Sequence, residues 1–523
     1  MMVLKNHYRL GVDVGGTHTD AAILDGDLRC VATAKAPTSE DVYGGILSAI
    51  ARVMARSGLA PDLICYAMLG TTQCTNAVVS RQGLNRVGLL RLSLPSSDGV
   101  PPLSGWDAAW RALVGDHLYQ LHGGYEIDGR EIHPLIYQEV IAACERMCGQ
   151  VDCIAICGVF APINAAQEHQ VARWVSERLP GVVLSLSHRI GNIGLLEREN
   201  ATVLNAALHT TADRFVNGFI NALRHHGISV EPYFSQNDGT LLSMEAAKRY
   251  PILTMACGPT NSLRGACHLS GLKEALVIDV GGTTTDIGVL TKGFPRESSL
   301  AVNIGGVRTQ FRMPDILSIG IGGGTLVRET REGEVLIGPD SVGYRLLQQA
   351  MSFGGDRLTL SDVLINCEPE RWSGPQPTVR PTLDASFCQR VYHAMIARVE
   401  EAIDRMKTSA ALMPAIVVGG GCILLPDRLK GVSQVILPAN FDAANAIGVA
   451  LGQIGGQINR VVTMDVGDRA SVRDALQQEA IALAEAAGAE RGSITVIEFL
   501  EVPLAYLPGN AVQVKVKVAG NLL

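Results

Sequence analysis

Apolar residues along this chain come in short runs that stop at Asp, Gly or Thr. Leu10–Val12 runs into Asp13-Val14-Gly15-Gly16-Thr17, and a second apolar run follows at Ala21–Leu24. Ala275–Ile278 runs into Asp279-Val280-Gly281-Gly282-Thr283, again with an apolar run behind it. Strand, Gly-Gly tip and strand predict a β-hairpin at each place. Residues 13–24, DVGGTHTDAAIL, and 279–290, DVGGTTTDIGVL, share Asp, Val, Gly, Gly, Thr, Thr, Asp and Leu in register. They are two separated copies of one device, not the period of a solenoid.

Between and beyond the hairpins the pattern alternates strands with helices. A strand is expected near Leu28–Lys35. Pro37, Thr38 and Ser39 should cap a helix whose apolar stripe contains Ile46, Leu47, Ile50 and Val53–Met54. Strand-like Leu63–Met68 meets Gly70-Thr71-Thr72-Gln73-Cys74-Thr75-Asn76-Ala77, a Gly/Thr turn that should open a helix ending near Gly83. Residues 93–135, rich in Pro, Gly and Ser, read as an irregular excursion. Val151–Phe160 and Val182–Ser187 read as strands, and 195–223 as a long helical stretch. In the second half, Cys257-Gly258-Pro259 reads as a turn and Ser318–Thr325 as a glycine cluster. Ala415–Val418 reads as a strand before Gly419-Gly420-Gly421, with a helix after Pro426 and a small-residue helix at Asn440–Leu451. The last part predicts a helix near Val472–Ala487, strands near Ile494–Glu501 and Val512–Val518, and a turn at Pro508-Gly509-Asn510. The expected architecture is α/β, with a first lobe at 1–190, a second at 191–455 and a small α/β appendage at 456–523.

Composition narrows the function classes. At 523 residues at least two domains are expected. Net charge is −7 with no long basic run, so nucleic acid is not an expected partner. The longest apolar runs, such as Cys153–Ile163, suit buried strands and are too short to span a membrane. The first hairpin begins close to the first residue, which leaves no room for a signal peptide. The 12 Cys contain no C-x-x-C pair, so reduced, mostly buried thiols in a cytoplasmic protein are expected.

The hairpins carry the chemistry. A Gly-Gly tip lets phosphate approach backbone N–H groups. A leading Asp can hold a metal ion, and Thr hydroxyls donate to oxyanions. Two such hairpins would grip one polyphosphate from both sides. No G-x-x-x-x-G-K-[ST] occurs, so this is not a P-loop. It resembles the phosphate loops of the actin, hexokinase and chaperone-ATPase superfamily, in which two RNase H-like lobes each contribute one Asp-Gly hairpin.

Asp13–Asp20, Gly70–Ala77, Asp279–Asp286, Ser318–Thr325 and Gly419–Gly421 together resemble the A-type, ATP-binding subunit of the hydantoinase/oxoprolinase family, in the same order from about residue 8 to 455. The resemblance implies ATP-dependent opening of a cyclic amide such as a hydantoin, 5-oxoproline or another lactam, with a second hydrolase subunit as partner. Related members belong to ketone carboxylases. The chain departs from the family pattern at His18, where Phe is usual, in the 93–135 loop, and in its shorter C-terminal part, 456–523. The first two leave the substrate open, and the third the partner arrangement; self-association also stays open.

On this resemblance Asp13 and Asp279 should hold Mg²⁺, directly or through water, beside the phosphates of ATP. Gly15, Gly16, Thr17, Gly281, Gly282, Thr283 and Thr284 should donate to phosphate oxygens. Gly419, Gly420 and Gly421 should leave room for adenosine, with Gly323 and Gly324 walling the cleft. Asp20 and Asp286 are candidate bases, the alternative being hydrogen bonds to their own hairpin backbones. Thr71, Thr72 and Asn76 are the substrate-side candidates, against a helix cap and a buried Asn. His18 is read as an exposed hairpin residue before a substrate contact, and Cys257 as a buried thiol before a nucleophile. His117, His122 and His133 lack metal-ligand spacing. The competing readings are a ketone-carboxylase subunit, a small-molecule kinase and a non-catalytic ATPase switch.

Overall fold

The computed structural model describes residues 7–16, 18–38, 43–191, 193–298, 302–309, 313–463, 469–504 and 510–523. Thr17, Ser39 and the expected turn at Pro508-Gly509 lie outside them.

Elements are numbered along the chain. The first hairpin is β1 (Tyr8–Val14) and β2 (His18–Leu24), followed by β3 (Cys30–Pro37), α1 (Tyr43–Ser57), β4 (Ile64–Thr71) and α2 (Gln73–Ser80). Next come β5 (Val87–Leu94), α3 (Ala108–Val114), β6 (Leu118–His122), α4 (Tyr137–Met147), β7 (Cys153–Gly158), α5 (Ala166–Arg178) and β8 (Val183–Leu186). Then follow α6 (Leu195–Ala207), α7 (His209–His225), β9 (Pro232–Ser235), β10 (Thr240–Ser243), α8 (Met244–Arg249) and α9 (Cys257–Ser270). The second hairpin is β11 (Ala275–Val280) and β12 (Thr285–Thr291), with β13 (Phe294–Pro295), β14 (Val302–Ile304), β15 (Val307–Thr309), β16 (Ile316–Ile319), β17 (Thr325–Glu329) and β18 (Val335–Ser341) behind it. After α10 (Leu346–Gln349), α11 (Leu360–Cys367) and α12 (Ala385–Met406) come β19 (Met413–Val418), β20 (Val432–Ile436) and α13 (Ala444–Ala450). The chain closes with β21 (Gln453–Thr463), α14 (Arg469–Ala486), β22 (Thr495–Pro503) and β23 (Ala511–Gly520).

The repeated phrase reappears as a repeated sheet. One sheet contains the order β3-β2-β1-β4-β9 and the other β13-β12-β11-β19-β20. In each, the first three strands are antiparallel and the next two join parallel to the central strand. These are the two RNase H-like lobes of the actin-like ATPase architecture. Register matches as well: Asp13 faces Asp20 and Asp279 faces Asp286, each pair next to the hairpin tip. The central strands β1 and β11 are buried almost throughout, as strands covered on both faces must be.

The expected divisions at 190/191 and 455/456 do not coincide with the sheets. β9 and β10, beyond residue 190, complete the first lobe's sheet. β21 begins before residue 456 and pairs with β10, so the expected appendage extends that same sheet through β21, β23 and β22. Buried Val514, Val516 and Val518 share one apolar cluster with Met68, Leu241 and the α14 residues Leu476, Ala480 and Ala484. A boundary would have exposed that surface.

The 93–135 excursion also proves partly regular. Asp107 caps α3 by accepting from Trp110 N at 2.8 Å, and β6 joins β5, β7 and β8 in an all-parallel sheet. Leu90 and Leu92 pack with residues of α4 and α5, while Leu89 joins the first lobe's core. Cys257-Gly258-Pro259 is no simple turn: it forms the first residues of α9, entered through Ala256 at φ 57°. No helix lies between Pro426 and β20, where one was expected. Among the described residues, no helix is long and apolar enough to cross a membrane.

Candidate active site

Two helices cross between the lobes. At their contact a Cβ on Gly265 of α9 would lie 1.9 Å from Ala444 O, and one on Gly448 of α13 1.9 Å from Asn261 O. Glycine at both positions lets the two backbones touch. α13 also presses on β1, where a Cβ at Gly11 would lie 2.3 Å from Ala446 O. The crossing therefore fixes three polar side chains, Asn261, Ser262 and Asn445, between the ends of β1 and β11.

These three join the two leading aspartates. Asn261 Nδ2 donates to Asp13 Oδ1 at 3.0 Å, and Asn445 Nδ2 reaches Asp13 Oδ2 at 3.5 Å. Ser262 Oγ is hydrogen-bonded to Asp279 Oδ2 and lies 2.7 Å from Asn445 Oδ1. One hydroxyl proton cannot serve both oxygens. Ser262 Oγ donates to one of them at a time and so links Asp279 to Asn445.

Burial pushes the Asp13 carboxyl up to about 7 against the pull of Asn261, and Asp20 and Asp279 add like charge. Burial likewise raises Asp279, and takes Asp286 to about 6 despite its hydrogen bond from Ser318. Burial also raises Asp20, but Lys35 Nζ lies 3.1 Å from its Oδ1, a partner that neither reading of this residue foresaw.

The glycines crowd around these carboxyls for steric reasons. A Cβ at Gly70 would lie 2.4 Å from Asp13 Oδ1, and one at Gly419 (φ 87°) 2.3 Å from Asp279 Oδ1. A Cβ at Gly421 would meet Gly281 O at 2.7 Å. Gly323 N and Gly324 N donate to Gly281 O and Gly282 O at 3.1 and 2.7 Å, clamping the second tip. Gly15 N and Gly281 N close their own turns onto His18 O and Thr284 O, at 3.0 and 2.8 Å. Those two expected phosphate donors are thus engaged within the hairpins. Gly16 and Gly420 face open space. Thr283 O lies 3.5 Å from Thr325 Oγ1, and Thr284 is partly buried beside it.

Thr71, Thr72 and Asn76 stand beside the first hairpin. Thr72 Oγ1 donates to Val14 O at 3.3 Å and accepts from Asn76 Nδ2 at 3.4 Å; Thr71 is buried and its Oγ1 accepts from Gln73 N at 3.2 Å. Asn76 is exposed, not a buried residue. Cys257 Sγ donates to Thr71 O at 3.3 Å, and burial pushes the thiol up to about 12, so it is a structural thiol. His18 is exposed at the start of β2, as read from the sequence, and partial desolvation together with Lys35 lowers its pKa. His122 and His133 do meet, with ring centroids 4.6 Å apart, their Nδ1 atoms held by Glu139 Oε1 and Pro134 O. His117 pairs instead with Tyr119. Among the described residues no group of three or more His, Cys, Asp or Glu is placed to hold a metal ion.

Asn261, Ser262 and Asn445 escaped sequence reasoning because nothing in their spacing links them to Asp13. The small-residue run Asn440–Leu451 was the available signal, since such a helix must approach another backbone closely.

Two family models match the chain: Hydantoinase/oxoprolinase N-terminal region over residues 9–179 and Hydantoinase/oxoprolinase over residues 198–377. Among curated proteins the chain is 28% identical over 381 residues to caprolactamase subunit alpha of Pseudomonas jessenii, covering 68% of this chain and 54% of that one. It is 25% identical over 407 residues to the acetophenone carboxylase gamma subunit of Aromatoleum aromaticum, covering 70% and 54%. The chain thus spans about half the length of these curated relatives. The solved ATP-dependent caprolactamase of Pseudomonas jessenii shares the fold, with TM-score 0.79 at 19% identity over 98% of this chain and 88% of that one. Nucleotide-free acetone carboxylase shares it with TM-score 0.68 at 18% identity, over 99% and 88%. The chain belongs to the hydantoinase/oxoprolinase family.

Proposed function

We propose that this chain binds Mg-ATP between its two hairpins and uses it to activate the carbonyl of a cyclic amide for ring opening. The observation that carries this reading is the bridge Asp13–Asn445–Ser262–Asp279, which joins two hairpins of identical register across the lobes.

An amide resists water because resonance strengthens C–N and weakens the carbonyl as an electrophile. Transfer of the γ-phosphoryl group to the amide oxygen removes that resonance: the bond to the ADP oxygen breaks and a bond to the carbonyl oxygen forms. Water then adds to the carbon and C–N cleaves, leaving a ring-opened acyl phosphate with the nitrogen protonated as the amine; a second water then cleaves that mixed anhydride to carboxylate and phosphate. Phosphoryl transfer asks chiefly for positioning and charge stabilisation. Gly16, Gly282 and Thr283 are the tip residues suited to cradle phosphate, with Gly420 open toward the adenosine side. Thr72 and Asn76 orient the ring.

A magnesium ion suits two buried carboxyls with raised pKa values, and it characteristically takes one or two carboxylates together with substrate phosphates and water. Asp13 and Asp279 would hold it, and it would neutralise charge developing on the phosphates. Asp286 is the better remaining base, since Asp20 is tied to Lys35.

Relatives named as alpha, beta and gamma subunits support a multi-subunit assembly; in it a second subunit would complete hydrolysis. Similarity to acetophenone and acetone carboxylase subunits supports one alternative, carboxylation of a ketone. ATP hydrolysis by the purified chain, measured against hydantoins, 5-oxoproline and lactams with and without bicarbonate, tests both. ADP release stimulated by a ring compound is expected; stimulation only by a ketone with bicarbonate would replace this reading with the alternative. Absence of ATP binding would sink both.

A further inference from the structure

The ribbon β14–β15 lies in the chain between β13 and β16, both strands of the second lobe, yet it is packed into the first. Ile304 and Val307 belong to the first lobe's apolar core. The ribbon's turn, Gly305-Gly306, enters a socket between α2 and α3. Trp110 Nε1 donates to Gly305 O at 2.7 Å, and Arg81 Nη2 donates to the same oxygen at 3.3 Å. Gly305 adopts φ 58°, and a Cβ there would lie 2.9 Å from Val78 O, so the turn fits only as glycine. Asn200 Nδ2 donates to Arg308 O at 2.8 Å while its Oδ1 accepts from Trp106 Nε1 at 2.7 Å.

Arg81 joins this socket to the candidate site. It closes α2 in the left-handed conformation, bonds the Asp107 carboxylate at 3.1 and 2.6 Å, and stacks 5.0 Å over the Trp110 ring. The other end of α2 carries Thr72, tied to Val14 of the first hairpin, and Asn76. The far side of the ribbon leads to β16, where Ser318 faces Asp286 across the second hairpin. One helix is thus held at its start by the first hairpin and at its end by a strap from the second lobe. A contact that two sites both bias is what transmits coupling between them.

We propose that Arg81 and Trp110 are positioning residues: through Gly305 they couple the second hairpin to α2, so that Thr72 and Asn76 are set against the ring only when nucleotide holds the second lobe. This rests on the nucleotide reading of the paired hairpins. The polar contacts of both residues go to Asp107, Gly305 and each other, away from the hairpin tips. Deleting their donors should therefore leave nucleotide binding intact and uncouple α2 from it.

Amide hydrogen exchange of the full chain, with and without Mg²⁺ and a non-hydrolysable ATP analogue, reads this at residues 279–290 and 73–80. In the native protein nucleotide should slow exchange at both by about five-fold or more, the lower range of allosteric coupling. In Trp110→Phe/Arg81→Met the slowing at 279–290 should persist while that at 73–80 falls below about two-fold. Arg81→Met alone, at a partly exposed site, should give an intermediate loss and guards against misfolding of the double variant. A purely structural role would change α2 exchange equally with and without nucleotide, so the nucleotide-dependent difference is the decisive quantity. Equal slowing of α2 in native and double-variant protein would overturn the coupling, as would a native protein in which 279–290 responds and 73–80 does not. No response at 279–290 in the native protein would overturn the nucleotide reading and the coupling with it.

Discussion

Asp13 sits where a carboxylate is poorly solvated and faces two like charges, so its proton is held far more tightly in the folded protein than in the unfolded chain. The consequence for stability has a definite sign. Below about pH 4 both states are protonated; between about 4 and 7 the folded state keeps a proton that the unfolded chain has lost. Stability of the nucleotide-free protein therefore falls as pH rises through that window and levels off above it. Asp13→Asn removes the titration while keeping the acceptor for Asn261. It should be as stable as the native protein near pH 4 and more stable by a few kcal/mol at pH 8, measured by urea unfolding without Mg²⁺. A difference between the two that does not change with pH would refute this burial argument. Both leading aspartates were legible in the sequence because the phrase repeats. Asn261, Ser262 and Asn445 were not, since each becomes meaningful only when α9 and α13 bring it to a carboxyl.

The elements around the repeated phrase, and several helices elsewhere, followed from their apolar period. The failures share a cause. β6 and α3 lie in Pro- and Gly-rich sequence, and their order comes from pairing with β5 and from the Trp110 contacts rather than from local propensity. The turn read at Cys257-Gly258-Pro259 becomes a helix start because Ala256 takes the left-handed conformation and Thr75 Oγ1 accepts from its N–H at 3.1 Å. The α9–α13 crossing offers a direct test of packing against propensity. Gly265→Ala should stabilise an isolated helix by about 1 kcal/mol. In this protein the new Cβ would meet Ala444 O at 1.9 Å, and two buried backbones must separate. A net loss of about 2 kcal/mol or more is expected by thermal or urea unfolding. A gain in stability would show that the helices part without cost.

Across the whole molecule, charge at the C-terminal strands joins the lobes. Lys517 Nζ lies 3.0 Å from Asp238 Oδ2 in the first lobe and 3.1 Å from Glu297 Oε1 in the second, and Lys515 Nζ is 2.9 Å from Glu297 Oε2. Burial alone would raise Asp238, but Lys517 and Thr240 outweigh it and hold the carboxyl below its ordinary range. Its contribution is thus present above about pH 4 and lost as pH falls through the depressed value. Lys517→Met keeps the chain length and strands a buried carboxylate, so a loss of about 3–5 kcal/mol is expected. Adding Asp238→Asn should restore most of it. If the double variant is no more stable than the single one, the pair is not what holds these strands.

The sequence by itself determined the two hairpins, their leading aspartates, the elements next to them and the family resemblance. Those features depend on residues close together in the chain: a Gly-Gly tip between apolar runs, a helical stripe, a repeated phrase. Only the tertiary structure decided that β21, β22 and β23 extend the first lobe's sheet, that a second-lobe ribbon is buried in the first lobe, and that Asn445 and Ser262 bridge the aspartates. Each of these joins segments far apart in the chain. Their pairing is selected by which apolar faces and which buried polar atoms satisfy one another once the lobes have formed, and no local pattern contains that information.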